Sequence, residues 1–221
     1  MLRLITLCLA AILSALSLGV VLAADRVELV SIWNPIGAEP DGCRPALTGG
    51  GGPPRWRNVE TDADNQLGLG VVEESCDATD YRFPLCIVEG QAFSALGNVD
   101  VSVRVRPVMG KVDQAGGIAI RLKDPRNYYV VRANALEDNV RLYAVIDGER
   151  KQFAGKSVKV GSTQWHTLRL RAVGDRFTVH FDNELLFEAT DRRITGPGRV
   201  ALWTKADSMT EFVDLTIEPL P

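Results

Sequence analysis

The chain has 221 residues, 46% of them apolar and 24% charged, with a formal net charge of −3. That is enough apolar material for a buried core, in one large domain or in one domain behind an export segment. The two signs of charge are mixed throughout, which speaks against nucleic acid as a partner, because such binding needs a basic face.

The N-terminal stretch MLRLITLCLAAILSALSLGVVLAAD carries Arg3 and then no charge until Asp25. A basic start, an apolar run and small residues at its end describe a secretory signal peptide over 1–23, cleaved after Ala23 or Ala24. The remainder, 24–221, reads as a single domain. The alternative is an uncleaved anchor, since 4–24 is long enough to span a bilayer, and only then is a membrane a partner. Cys8 follows Leu7 too near the start for a lipoprotein cleavage site. Both readings place the body of the protein outside the cytoplasm, periplasmic or secreted. Cleavage removes Arg3 and leaves 24 basic against 28 acidic residues.

Residues 26–97 are irregular, with short strands expected at 27–33, 56–60 and 67–73. TGGGGPPRW at 48–56 is a flexible loop with a Pro-Pro stop, and TDADNQ at 61–66 is turn chemistry. Outside the cytoplasm, Cys43, Cys76 and Cys86 read as disulfide partners with one thiol left over. Cys76 closes the shortest loop with Cys86, and the expectation is Cys76 paired with either Cys43 or Cys86. Cys86, inside FPLCIV, would also serve as a plain buried apolar residue. There is no paired-cysteine spacing, and His166 and His180 stand alone. No cofactor is expected, and the sequence gives no support for a structural calcium.

From Val99 the pattern becomes regular. VDVSVRVRP at 99–107 alternates Val99, Val101, Val103 and Val105 inward with Asp100, Ser102, Arg104 and Arg106 outward. Strands follow at 116–123, 128–134, 139–147, 165–173, 176–182, 184–190, 199–204 and 212–218. DPRN, ALEDN, DGER, GDR, DNE and TGPG separate them, all turn compositions. No stretch after Arg26 holds a helical period, so the fold class is all-β, an antiparallel β-sandwich or barrel.

Known catalytic patterns fail one by one. There is no Gly-x-Ser-x-Gly elbow, and neither histidine has a nucleophile nearby. Gly155-Lys156-Ser157 lacks the earlier glycine of a phosphate loop, which would fall at Arg150. Glu60, Asp62 and Asp64 approach a glycosidase strand motif, but its third carboxylate position is Asn65 and the segment reads as a solvated acidic turn. Glu137 and Asp138 are adjacent at a turn and read as surface residues.

The segments DQAGGIAIRLKDPRNYYVVRANALEDNVRLYAVIDGERKQF, QWHTLRLRAVGDRFTVHFDNELLFEATD, GPGRVALWTKADS and FVDLTIE closely resemble a bacterial family. It is the 3-keto-disaccharide hydrolase domain, a concanavalin A-like lectin/glucanase jelly roll. The likeness covers about 99–218, and more loosely DYRFPL at 80–85. It implies a jelly-roll fold and, second, hydrolysis or elimination of 3-keto-glycosides. Arg132, Asn134, Glu137, Asn139, Arg141 and Tyr143 fall on the family's Arg-x-Asn-x-x-Glu-x-Asn-x-Arg-x-Tyr pattern. Trp203, Lys205, Asp207 and Ser208 fall on its Trp-Thr-Lys-x-Asp-Ser segment. The family's Phe-Asp-Asp-Leu ending is Phe212-Val213-Asp214-Leu215 here, and its Gly-Trp near the start is Gly42-Cys43. The resemblance assigns no catalytic role to any of these residues.

Strand parity completes the reading. If Ile118, Ile120 and Leu122 face the core, Arg121 points away from it, beside Arg132 and Arg141. If Val200 and Leu202 face the core, Trp203 points away with Lys205. Tyr128 and Tyr129 straddle the sheet, Trp165 packs, and His166 and His180 read as ordinary surface histidines. On a concave non-core face, Arg121, Arg132, Asn134, Glu137, Arg141, Tyr143, Trp203 and Lys205 would line a groove. Aromatic faces stack on sugar rings, while Arg and Asn supply planar donors and acceptors. The expected partner is a saccharide or oxidised glycoside. The competing readings are a hydrolase or lyase acting on 3-keto-glycosides, and an envelope module whose charged strands only pair on a wet sheet.

Overall fold

The computed structural model describes residues 25–26, 35–63 and 68–221. The expected signal peptide and the strand expected at 27–33 lie outside these. The described residues form β1 (Asp25–Arg26), β2 (Cys43–Gly49), β3 (Trp56–Thr61), β4 (Gly68–Glu73) and β5 (Arg82–Val88). There follow β6 (Asn98–Met109), β7 (Ala115–Asp124), β8 (Asn127–Asn134), β9 (Asn139–Ile146) and β10 (Glu149–Ser157). The rest are β11 (His166–Val173), β12 (Arg176–Phe181), β13 (Glu184–Thr190), β14 (Arg199–Thr204) and β15 (Met209–Leu220). The first sheet runs β13-β12-β11-β6-β15-β4-β3, with β1 also paired to β15, and the second runs β10-β9-β8-β7-β14-β5-β2. Every pairing is antiparallel. The fold is the expected all-β sandwich.

The main core lies between the sheets. Val99, Val101, Val103 and Val105 of β6 meet Ile118, Ile120, Val131, Leu142 and Leu202 of the second sheet. Asp100, Ser102, Arg104 and Arg106 take the opposite face of β6, as alternation requires. Three strands escape the sequence pattern: β2 contains Pro45, β5 contains Pro84, and β10 is a charged edge strand, ERKQFAGKS. Proline is confined to the places where a strand gives up ladder bonds, and lysines on an edge block further pairing.

The inner strands of the second sheet, β5, β7, β8, β9 and β14, are buried on both faces. Its outer face carries a separate apolar cluster that includes Phe83, Leu85, Tyr128, Val130, Val145, Ala201 and Trp203. The sheet coils far enough for its β2–β5 end to reach the β7–β8 and β9–β10 turns. The Thr48 hydroxyl donates to the Pro125 carbonyl, and it lies 2.9 Å from the Tyr128 hydroxyl. The Tyr81 hydroxyl donates to the Gly148 carbonyl at 3.3 Å and accepts from the Arg150 amide at 3.3 Å.

A fully buried ion pair joins the sheets at one end. Arg82 of β5 reaches Glu73 of β4 at 3.2 Å, with both side chains at 0% exposure. The same guanidinium donates to the carbonyls of Gly52, Pro53 and Ala206. Glu73 in turn accepts from the amides of Arg55 and Ser75. The glycine loop is thereby pinned rather than free: Gly51 has φ 83, and a Cβ there would come within 2.7 Å of the Arg82 side chain.

The cysteine expectation is corrected. Cys43 and Cys86 form the disulfide, and Cys76 is the exposed free thiol. Antiparallel pairing of β2 with β5 brings the first two to a Cα separation of 5.3 Å on the core side, so ladder register overrides loop length. Alkylation of the unfolded, unreduced protein should label Cys76 and spare Cys43 and Cys86; label at Cys43 would contradict the register.

Arg82→Met leaves Glu73 buried and unpaired. Denaturant unfolding should show a loss of about 3–5 kcal/mol. A loss under about 1 kcal/mol would mean that the pair does not hold this end of the sandwich.

Candidate functional site

The β8–β9 hairpin places Arg132 directly opposite Arg141 and Asn134 opposite Asn139. Two like charges facing each other destabilise a ladder unless an anion stands between them. Glu137, in the connecting turn, supplies it: its carboxylate lies 2.8 Å from Arg132 and 3.7 Å from Arg141. Arg132 also donates to Asn139 Oδ1 at 2.5 Å and to the Tyr143 hydroxyl at 3.1 Å. Asn139 returns a bond to Glu137 at 3.0 Å. Burial pushes the Glu137 carboxyl up, but the Asn139 bond and the Arg132 charge outweigh it and leave the pKa below the ordinary carboxylate value.

A second cluster adjoins this one. Asn134 folds its oxygen back onto the amides of Leu136 and Glu137 and donates its nitrogen to Asp113 at 2.5 Å. Asp113 lies 2.8 Å from Lys205, which also reaches Asp80 at 2.5 Å. Burial alone would lower the Lys205 pKa, yet bonds to Asp113 and Asp80 raise it, so the ammonium is held charged. Neighbouring residues fix the turn that carries Asp113. Asp207 accepts from the amides of Lys111, Val112 and Asp113, and Ser208 accepts from Ala115. The stretch from Trp203 to Ser208 is thus one device for setting Asp113 against Lys205.

Beneath these polar groups lies an aromatic floor. Trp203 stacks on Phe83 with centroids 5.4 Å apart and donates its indole N–H to Tyr128 at 3.3 Å. The Tyr128 hydroxyl is pushed up to about 12 by burial. Arg150 of β10 covers the floor, its guanidinium 4.4 Å from the Tyr143 centroid, 4.7 Å from Phe83 and 5.5 Å from Trp203.

Of the residues expected to share one face, Arg132, Asn134, Glu137, Arg141, Tyr143, Trp203 and Lys205 do so. Arg121 does not. A bulge between Ile120 and Asp124, with Arg121 at φ 49, reverses parity there. Leu122 therefore joins the outer cluster, while Arg121 lies over Phe177 and donates to the carbonyls of Gly97 and Gly174. It lines an edge cavity of about 480 Å³ with Asp175 and Asp191. The face is also no open groove: Trp203 is 0% and Arg132 2% exposed, because the sheet has coiled over them. Arg150 and Asp113 were missed, the first because DGER reads as a turn. Its signal was the arginine itself, two residues beyond a Gly turn and in register with Val145.

Elsewhere, Asp62 is tied to Arg106, and Asp64 lies outside the described residues. His166 is buried, its Nδ1 lying 2.8 Å from Asp182 and its Nε2 accepting the Gly161 amide at 3.0 Å. It orders a loop. Among the described residues no group of three or more His, Cys, Asp or Glu side chains is placed to hold a metal.

This geometry defines a jelly-roll sandwich of the type found in galectin-like and carbohydrate-binding modules. The chain is similar in structure to carbohydrate-binding module CBM66 from Bacillus subtilis, with a TM-score of 0.61, 18% identity, and coverage of 80% of this chain and 97% of that one. It is similar also to a Bacillus subtilis protein of unknown function with a galectin-like fold, with a TM-score of 0.57, 10% identity, and coverage of 89% and 96%. A third is domain 4 of an extracellular arabinanase from Geobacillus stearothermophilus, in complex with arabinotriose (TM-score 0.53, 13% identity, coverage of 89% and 93%). No family model and no curated protein matches the sequence, so the resemblance to the 3-keto-disaccharide hydrolase domain is not confirmed.

Full burial changes what Trp203 does. Trp203→Ala should destabilise the protein by about 3–5 kcal/mol in denaturant unfolding, alongside about 2–5 kcal/mol for Leu202→Ala. A Trp203→Ala protein as stable as wild type would mean that the outer face is open after all.

Proposed function

We propose that the protein is an exported, single-domain jelly-roll module that binds a saccharide at the rim of the coiled second sheet. The observation that carries this reading is the convergence of Arg132, Asn134, Glu137, Arg141, Tyr143 and Lys205 into one bonded constellation above an aromatic floor. Polyhydroxylated ligands are recognised by fixed planar donors and carboxylate acceptors next to apolar ring faces. Glu137 and Arg141 are about two-fifths exposed and offer an acceptor and a donor at the rim. Similar structures include a carbohydrate-binding module and a domain bound to arabinotriose, which supports the same ligand class here.

The sequence resemblance favours an oxidised glycoside as the particular ligand, and a second reading follows from it: hydrolysis or elimination of 3-keto-glycosides at this rim. A saccharide array combined with a keto-glycoside panel read by reducing-sugar release tests both. Binding without release is expected. Arg141→Ala should keep the fold and weaken binding about tenfold, the worth of one charge-assisted hydrogen bond. Folded wild type that neither binds nor cleaves any member of either panel would end the saccharide reading.

A further inference from the structure

The rim is not electrically closed. Arg132, Arg141 and Lys205 are paired with Glu137, Asp113 and Asp80. Arg150 is left over: among the described residues its side chain makes no ion pair and no hydrogen bond, and its Nη1 is buried without a partner. What faces it is the three aromatic rings of Tyr143, Phe83 and Trp203. A second orphan lies close by. Arg132 is almost wholly buried, and its Nε has no acceptor although both its terminal nitrogens do. Both guanidinia lie over the same Tyr143 ring, at 4.4 and 5.7 Å from its centroid.

Burial, and after it the like charge of Arg132, lowers the Arg150 pKa from its ordinary value, but a guanidinium stays protonated at neutral pH. Arg150 is partly exposed, and Asp113 favours its charge from beyond ion-pair distance. A half-buried cation with no direct counter-ion is still costly, and ring faces offset only about 2 kcal/mol of that. Aliphatic side chains would cover the floor more cheaply. A planar, permanently charged fork kept there fits an anion that is supplied from outside.

We propose that the ligand of this rim carries a carboxylate, as a uronic acid residue does, received by Arg150 with Arg132 behind it. The inference rests on the saccharide reading above and narrows it to acidic sugars. Arg150 sits on the edge strand β10 and closes the mouth between the two ends of the coiled sheet. A carboxylate arriving past Glu137 and Arg141 meets it before any other unpaired donor, and pairing with it draws the guanidinium off the rings. The ring faces of Tyr143 and Trp203 then become available to the sugar.

Calorimetric titration with neutral galactose oligomers, matched galacturonate oligomers and sulfated galactose oligomers tests this. Wild type should bind the uronate at least about tenfold more tightly than the neutral oligomer, and added salt should erode that difference. Arg150→Gln should bring the ratio of the two affinities near one, and Arg150→Lys should retain most of it. Should Arg150→Gln fail to fold, the lysine variant and the salt dependence decide. A wild-type ratio near one, or an Arg150→Gln protein that keeps the preference, overturns the proposal while leaving saccharide binding in place. A preference for the sulfated oligomer over the uronate overturns the carboxylate assignment. Binding of none of the three overturns the carboxylate proposal, and the saccharide array above then decides the saccharide reading.

Discussion

Both faces of the inner strands of the second sheet are buried, and the rest of the site follows from that constraint. A sheet with one wet face hands its outward polar groups to water. Here water is largely excluded, so each polar side chain on the outer face must find its partners within the fold or carry a desolvation penalty. Arg132 finds three acceptors, Asn134 three partners and Lys205 two carboxylates. The sequence pattern of arginine, asparagine, glutamate and tyrosine is the stoichiometry of that network, in which Arg132 Nε and Arg150 Nη1 are left without partners. A solvated strand of lysine and threonine would be equally soluble but would leave buried charges and amides unmatched once the sheet coiled.

The rim segment itself is anchored by the buried ion pair. Glu73 belongs to the first sheet and Arg82 to the second, and their contact excludes water at the point where the glycine loop crosses. Arg82 spends its remaining donors on backbone carbonyls, one of them Ala206. Ala206 lies between Lys205 and Asp207, so the ion pair fixes the segment that in turn fixes Asp113. Charge is tolerated there because every nitrogen has an acceptor, the condition under which a buried pair is stable. Position of the rim and closure of the sandwich are therefore one problem.

Much of the fold was legible because alternation is a local signal. The run 99–107 states its own inward and outward sides, and the parities of Trp203 against Leu202 and of Tyr128 against Tyr129 come out as read. Three kinds of information were not local. Arg121 lost its place to a bulge, which reverses parity over the last residues of β7, as Leu122 shows. Cys43 found Cys86 through ladder register across 43 residues, which no loop-length argument could see. The exposure of the outer face depends on how far the sheet coils, a sum over strands that no single strand encodes. Residue types on the face could be named from the sequence, but their burial could not.

Burial also changes the kind of recognition the rim can perform. An open aromatic groove gains affinity from ring stacking, whereas the stacked Trp203 and Phe83 here are already in contact with each other and with Arg150. What an arriving ligand meets first is a set of donors and acceptors whose rotamers are held by neighbours, so little side-chain freedom is lost on binding. Such a rim discriminates by hydrogen-bond geometry and charge rather than by area. The residues most tightly held, Arg132 and Asn134, have their bonds formed without any ligand and serve to keep the others in place. Arg150 alone is held by rings and not by an anion, and it stands where the two ends of the coiled sheet meet. The group with the least to lose by moving is thus at the position where movement opens the face.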